Sequence, residues 1–525
     1  MPWSIQNAFG SLARYEYLPN GEQFSSLFLY VIIAAFIGFL STSGFVYDIG
    51  GFSIFNAWRF FTQRYDFVQA GFRKSGGRTF RFKVLQHQII AMAGETSRKA
   101  FFNEPGLSFS EGYKILLGGA PQSKDIVRTG GEVPSDVEEA EFVKQIRSRC
   151  LALSIPILLE DLHTRLASDW GHKCRIEPFK HVREAVFQMT VRLSSCQELA
   201  EDRKSIDDLM ESYSALERSA TPVSQLLPWF PGPAKKSREK ATTKLFTVLQ
   251  KFVMLRRQAT SPTTDAIDVL IKKGHGDQSI VGTIMRTLFA GVSTTSAIAS
   301  WTLLRLASNP KWMNKAIEEY KTLVEEHSTT PARSVLQKRL SDIPLTAWEE
   351  ELPSTDLIIR ETIRLTSAGS IIRRNMQNDI IVDGATVRRG DFVTYQVADA
   401  HLNPDIYPDP LRFDPLRFVH GREEDQKEIF GYIGWGAGRH PCVGMRAAKL
   451  EIKLLLGLIL LGYEYELVDG TGNHPKELPM PDKNDNHQAS AASRRSILLE
   501  PHACRRLESN FYCSEGQTII VHHNV

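Results

Sequence analysis

Residues 435–444 read Trp435-Gly436-Ala437-Gly438-Arg439-His440-Pro441-Cys442-Val443-Gly444, and an apolar run from Ala447 to Tyr463 with helical character follows directly. A cysteine set just before a helix amino terminus has its thiolate stabilised by the helix dipole and by unpaired backbone N–H groups. Glycines on both sides let the backbone pass close to a flat ligand. His440, two residues earlier, can donate to an acidic group on such a ligand. Taken alone, a cysteine beside a glycine-rich turn is more often a buried, inert thiol. The G-x-G-x-G run also differs from a dinucleotide-binding loop, since the third-glycine spacing and a clear preceding strand are missing.

Working outward from this loop, Ser279 to Ser308 is a long apolar helix with no charge between Thr287 and Leu304. Its length suits a membrane span. Ser293, Thr294, Thr295 and Ser296 stand consecutively beside Gly291, however, so one whole turn is small or polar. That predicts a helix buried in protein and lining a cavity. The RTFRFKV segment (78–84) alternates and, with HQIIAMAG after it, predicts two strands of a small sheet. Glu95 to Asn103 reads as a short helix, 138–218 as long amphipathic helices, Leu357 to Leu365 as a helix, and 380–397 as short strands and turns. The proline-rich LLPWFPGPAKK, 226–236, reads as a surface loop. The expected class is mainly α with a minor β-sheet region.

Sixty-three basic against 60 acidic residues give a net charge of +3, which argues against nucleic acid as a partner. Six scattered cysteines without CxxC spacing suggest neither a disulfide framework nor a structural zinc site. The run Phe24 to Tyr47 has no charged residue and carries LFLYVIIAAFIGFL, enough for one transmembrane helix. A secretory signal would place basic residues ahead of a shorter core. Arg59, Arg64, Arg73 and Lys74 follow the run against Arg14 before it, which predicts a cytosolic main domain and a lumenal segment over 1–23.

The loop around Cys442 resembles the haem-binding pattern F-x-x-G-x-[RH]-x-C-x-G of the cytochrome P450 family, microsomal and fungal-type, with Trp435 in place of phenylalanine and Pro441 as a second departure. Glu361-Thr362-Ile363-Arg364 is similar to the family's ExxR, and Phe413 to Phe418, with Arg417, to its P-x-R-F segment. A Glu and Arg three apart are by themselves an ordinary surface pair. The resemblance implies instead a buried Glu361/Arg364/Arg417 network. Ala290-Gly291-Val292-Ser293-Thr294-Thr295 resembles the oxygen-binding turn of the long central helix. There Ala290 and Gly291 leave room for dioxygen, and Thr294 steadies it and relays protons. The family's acid before this threonine is replaced by Ser293, which does not titrate usefully near neutral pH.

What the resemblance implies is the cytochrome P450 fold over 78–486, preceded by a linker and short helix over 48–77 and the anchor over 24–47, with an atypical tail over 487–525. The cofactor implied is haem b, its iron held axially by Cys442, with Trp435, Gly436, Gly438, Arg439, His440 and Gly444 forming the cradle. Arg373 or Arg374 meets a propionate. Phe289, Ala290 and Ser370-Ile371-Ile372 are candidates for the pocket wall. The implied reaction inserts one oxygen atom from O2 into a lipophilic molecule, in fungal secondary metabolism. Electrons would come from an NADPH-cytochrome P450 reductase, with cytochrome b5 as a second donor, at the endoplasmic reticulum membrane. Two readings stay open because of Ser293 and the tail. One is a haem-thiolate isomerase, dehydratase or peroxide-using enzyme; the other is a catalytically impaired haem-binding membrane protein. His502, Cys504 and Cys513 in the tail are expected to hold no metal.

Overall fold

The computed structural model describes residues 46–116, 136–170, 176–227, 229–260, 265–469, 473–475, 479–485 and 497–502. The lumenal segment, all but the end of the expected anchor, and most of the tail lie outside them.

Strand Phe80–Val84 (β2) shows why the first sheet forms where it does. Phe80, Phe82 and Val84 are buried while Arg81 and Lys83 are exposed, the period-two pattern of a sheet with one covered face. It pairs in parallel with Tyr47–Asp48 (β1) and antiparallel with His87–Met92 (β3). The sheet continues through the later strands Leu107–Ser108 (β4), Ser370–Asn375 (β5) and Phe392–Gln396 (β8) in the order β1-β2-β3-β8-β5-β4. Ile380–Val382 (β6) and Ala385–Val387 (β7) form a separate hairpin. Helices Ser53–Thr62 (α1) and Arg64–Ser75 (α2) cover the sheet with Phe60, Phe67 and Phe72. Gly94–Asn103 (α3) matches the expected short helix, and Phe109–Leu116 (α4) packs on β5.

The rest is helical. Asp136–Trp170 (α5), Pro178–Ser194 (α6) and Arg203–Arg218 (α7) fill the region read as long amphipathic helices. The expected loop over 226–236 is shorter than predicted. Pro222–Leu226 (α8) ends at its start, and Pro233, in the first turn where its missing N–H costs nothing, already opens Pro233–Gln258 (α9).

Asp277–Ala307 (α10) runs through the centre and packs against α6, α9, Pro353–Thr366 (α12) and Met445–Gly462 (α14). Pro310–His327 (α11) and Ala398–His401 (α13) complete the labelled helices. From Thr295 to Leu306 every residue of α10 is buried, and apart from Arg305 this half is apolar or small and polar on all sides. Ser300 and Thr302 donate to the carbonyls of Ser296 and Ile298, each at 2.8 Å. Among the described residues α10 is the one helix long and apolar enough to cross a membrane, but two-thirds of its apolar window is buried in the protein. Trp301, Tyr320 and Trp348 anchor this core, where Trp301→Ala would cost about 3–5 kcal/mol.

One difference concerns the tail. Residues 497–502 (β12), assigned to the tail from sequence, pair antiparallel with Glu464–Asp469 (β11) over six residues, from Glu464 opposite His502 to Asp469 opposite Ile497. His502 therefore closes a strand. Cys504 and Cys513 lie outside the described residues.

Candidate active site

The cysteine loop is a tight hairpin. Gly436–Ala437 (β9) pairs with His440–Pro441 (β10), and the Cys442 N–H donates to the Trp435 carbonyl at 2.7 Å. Two positions demand glycine. Gly436 has φ +74 and a Cβ there would lie 2.4 Å from the His440 carbonyl; Gly438 has φ +57 and its Cβ would lie 2.4 Å from the Phe102 carbonyl. That close approach lets the Arg439 N–H bond Phe102 O at 3.0 Å, seating the hairpin on the end of α3. Gly444 then caps α14, so Cys442 stands two residues outside the helix, as expected. Cys442 is exposed between the buried Ala437 and Gly444. Trp435 is half-buried and wedged against the main core, so its carbonyl is a fixed point for the cysteine.

Behind the loop, Glu361, Arg364 and Arg417 come together as expected and are essentially inaccessible to solvent. Arg364 donates Nε to Glu361 Oε2 at 2.7 Å and Nη2 to Oε1 at 2.8 Å; Arg417 Nε reaches Oε1 at 3.3 Å. The remaining donors are used as well. Arg364 Nη1 bonds His401 O at 2.6 Å, and Arg417 bonds the carbonyls of Pro408, Asp409 and Arg412. Two cations on one carboxylate leave a charge excess, and the sequence reading missed what balances it. Glu424, buried in a 3-10 turn, accepts from Arg417 Nη1 at 2.8 Å and also from Arg422. Nothing periodic marks that turn, so no sequence signal pointed to Glu424.

On α10, full exposure is confined to the small-residue turn. Ala290 and Thr294, one turn apart, are exposed, and Gly291, Ser293 and Phe289 are half-buried, while Val292, Thr295 and Ser296 are buried. An exposed stripe in the middle of a central helix is surface left without a packing partner, open to a ligand. Thr294 Oγ1 donates to Ala290 O at 3.3 Å, a long bond that leaves the hydroxyl easy to redirect.

The two candidate arginines of β5 separate, since successive residues of a strand face opposite ways. Arg374 turns to Gly390 O at 3.2 Å, to Glu111 at 3.9 Å and over the Phe392 ring. Arg373 is buried, with its guanidinium 4.6 Å from the Phe109 ring centre, and Phe109 in turn stacks on His440 at 6.1 Å. Its Nε has no hydrogen-bond partner, and no carboxylate among the described residues pairs with it. Burial lowers its pKa to about 10, a cost an anion would remove. Of the two candidates, Arg373 lies on the side of Phe109 and His440, and Arg374 lies on the opposite face of the strand. Gly112, whose Cβ would lie 2.5 Å from Arg373 Cα, brings α4 and thus Phe109 to this place. Phe109 carried no recognisable motif.

The parts together suit a flat, acidic macrocycle with a thiophilic metal at its centre. They offer an exposed cysteine on a glycine hairpin, a buried guanidinium short of partners at the rim, and a bare small-residue stripe opposite the core. The Cytochrome P450 family profile matches residues 54–488. Cytochrome P450 monooxygenase AacuE of Aspergillus aculeatus is 29% identical over 426 residues, 79% of this chain and 85% of that protein. Cytochrome P450 monooxygenase dmxR5 of Cryptosporiopsis is 27% identical over 473 residues, 86% and 92% of the two chains. A solved structure described as retinoic acid bound cyanobacterial CYP120A1 superposes with a TM-score of 0.66 at 19% identity, covering 85% of this chain and 96% of its own, a likeness of fold. With the profile spanning most of its length, the chain belongs to the cytochrome P450 family, oxygen-incorporating enzymes that carry haem on a cysteine thiolate.

Proposed function

We propose that this chain is a membrane-bound monooxygenase acting on a lipophilic small molecule of fungal secondary metabolism, with Cys442 as iron ligand and electrons from a separate NADPH-cytochrome P450 reductase, assisted by cytochrome b5. The observation that carries the reading is that the chain holds both an exposed Cys442 on a glycine hairpin and an exposed Ala290/Thr294 stripe in a largely buried helix. Bound haem would supply the iron at which dioxygen is activated and one oxygen atom delivered to substrate.

The chain's own residues do the rest. Trp435 O and the start of α14 fix the Cys442 backbone and stabilise its thiolate. Arg373 and His440 would hold the acidic rim of such a group. Ala290 and Gly291 would leave room beside the bound group, and Phe289 with Ile371 would contribute apolar wall, while Ile372, on the opposite face of β5, is fully buried in the core under α1 and α2. Thr294 Oγ1 gives up its long bond to Ala290 O and passes a proton inward. Ser293 does not supply that proton, so water reached through Thr294 is its source.

Membrane attachment draws support from a surface separate from the expected anchor. Phe52, Ile54, Phe55 and Trp58 on and before α1 are exposed, as are Val223 on α8 and Leu227, Trp229 and Phe230 beyond it, and α8 packs on α1. Bulky apolar and aromatic side chains grouped this way suit the headgroup boundary of a bilayer. In liposome flotation, a chain lacking residues 1–45 should still float, and Trp229→Ser with Phe230→Ser should release it. Release without those substitutions would remove the second contact.

The function is tested by supplying the reductase, NADPH and isotope-labelled dioxygen with extracts of a producing fungus. Label in a product contributed by O2 supports the proposal. Substrate conversion driven by peroxide alone, or without redox partner, would favour the isomerase or peroxide-using alternative.

A further inference from the structure

His401 closes α13 with no exposure to solvent, and its ring lies between the two parts of the site that hold the cysteine loop. Its Nδ1 is 3.1 Å from Ser367 O, a carbonyl that can only accept, so the proton is on Nδ1. The Ile433 N–H donates to Nε2 at 3.0 Å, so Nε2 carries none. Both bonds together define one neutral tautomer. The ring stacks on Tyr432 at 5.2 Å and 23°, and the His401 carbonyl receives Arg364 Nη1 at 2.6 Å. Burial, with the Arg364 charge second, drives the imidazole pKa down to about 3, so it does not lose its acceptor near neutral pH. From Ile433 the chain of bonds continues. Ile433 O receives the Gly436 N–H at 3.0 Å, and Trp435 O receives the Cys442 N–H at 2.7 Å.

We propose that His401 is a positioning residue, a neutral imidazole that locks the cysteine hairpin onto the Glu361/Arg364/Arg417 cluster through Ile433, and so sets how firmly Cys442 stays on iron. This rests on the haem-thiolate reading. It goes beyond it by assigning the link to one nitrogen. His401→Asn keeps a donor near Nδ1 for Ser367 but leaves the Ile433 N–H without an acceptor. His401→Gln places an acceptor near Nε2 and gives up the Ser367 bond.

The full-length holoprotein of each variant is followed by the thiolate-type spectrum of its reduced carbon monoxide complex. The Asn variant should lose that spectrum about tenfold faster than wild type, the scale set by one buried unsatisfied donor. The Gln variant should stay close to wild type. Equal lifetimes for Asn and wild type, or loss in Gln but not Asn, would overturn the assignment. Hydrogen exchange of the peptide spanning Ile433, measured on wild type and Gln variant, covers the case in which Asn gives no holoprotein. Slow exchange of that amide in both supports the link, and fast exchange in a folded wild type overturns it. A wild type lacking any thiolate-type spectrum would instead contradict the haem reading, while the exchange measurement still decides the link.

Discussion

Around Glu361 both carboxylate oxygens and all three nitrogens of Arg364 and of Arg417 are bonded inside the protein, and none sees water. At Ala290 and Thr294 the central helix does the reverse, leaving two small residues bare within a buried element and holding the Thr294 hydroxyl by one long bond. The difference separates two tasks. Holding a metal-binding loop needs a site that cannot move, so its charges are closed off and over-determined. Admitting substrate and passing protons needs room and a hydroxyl that can turn. A variant on the closed side should therefore be read in stability and cofactor content, and one on the open side in turnover.

Glu361→Gln gives the largest effect expected from that contrast. It leaves two buried guanidiniums with half their counter-charge, at about 3–5 kcal/mol, seen as a lower urea midpoint and less bound haem. Arg446→Ala, which breaks a pair with Glu349 whose side chains are 50% and 29% exposed, should cost less than about 1 kcal/mol. Equal costs would break the comparison. On the open side, Thr294→Ala should reduce product formed per NADPH by about 10²-fold while haem content and urea midpoint stay at wild-type values. Thr294→Ser should recover most of it.

The two arginines of β5 sharpen the closed side further. Arg373→Ala should weaken haem retention about tenfold or more, in line with loss of one charged hydrogen bond, and Arg374→Ala should leave it nearly unchanged. Haem transfer to apomyoglobin measures both, and a larger effect at Arg374 would reverse the assignment. The smallest effect concerns pH. His401 has a folded-state pKa near 3 against 6.5 in the unfolded chain, so below 6.5 the unfolded state binds a proton that the folded state refuses. The stability contributed by neutral His401 is complete above pH 6.5 and declines as pH falls toward 3, by about 1 kcal/mol over the first unit. In His401→Gln that component of the urea-midpoint slope should vanish.

The closed side was the more legible in sequence because its residues come in fixed local spacings. Glu361 and Arg364 are one helical turn apart, and Gly436, Gly438 and Cys442 lie within seven residues. What escaped notice acts across distance. Glu424 enters through an irregular turn, His401 through backbone bonds to Ser367 and Ile433, and Phe109 through a helix placed by Gly112 on β5. Arg373 and Arg374 were indistinguishable in sequence because adjacent strand residues differ only in the face they take, which the sheet decides. The pairing of β12 with β11 was invisible for a similar reason, since 27 residues with no periodic pattern separate the two strands (470–496). The substitution of Ser293 for an acid was legible, and the structure places it half-buried beside Thr294, with its carbonyl accepting from Ser296 Oγ at 3.1 Å.

The most direct test of the account is the reduced carbon monoxide spectrum of the full-length chain reconstituted with haem, compared with its Cys442→Ser variant. The account predicts a thiolate-type band in the wild type and its complete loss in the variant, with the fold retained. A wild type that binds haem stoichiometrically without that band, or a variant that keeps it, would contradict the assignment of Cys442 and the function built on it.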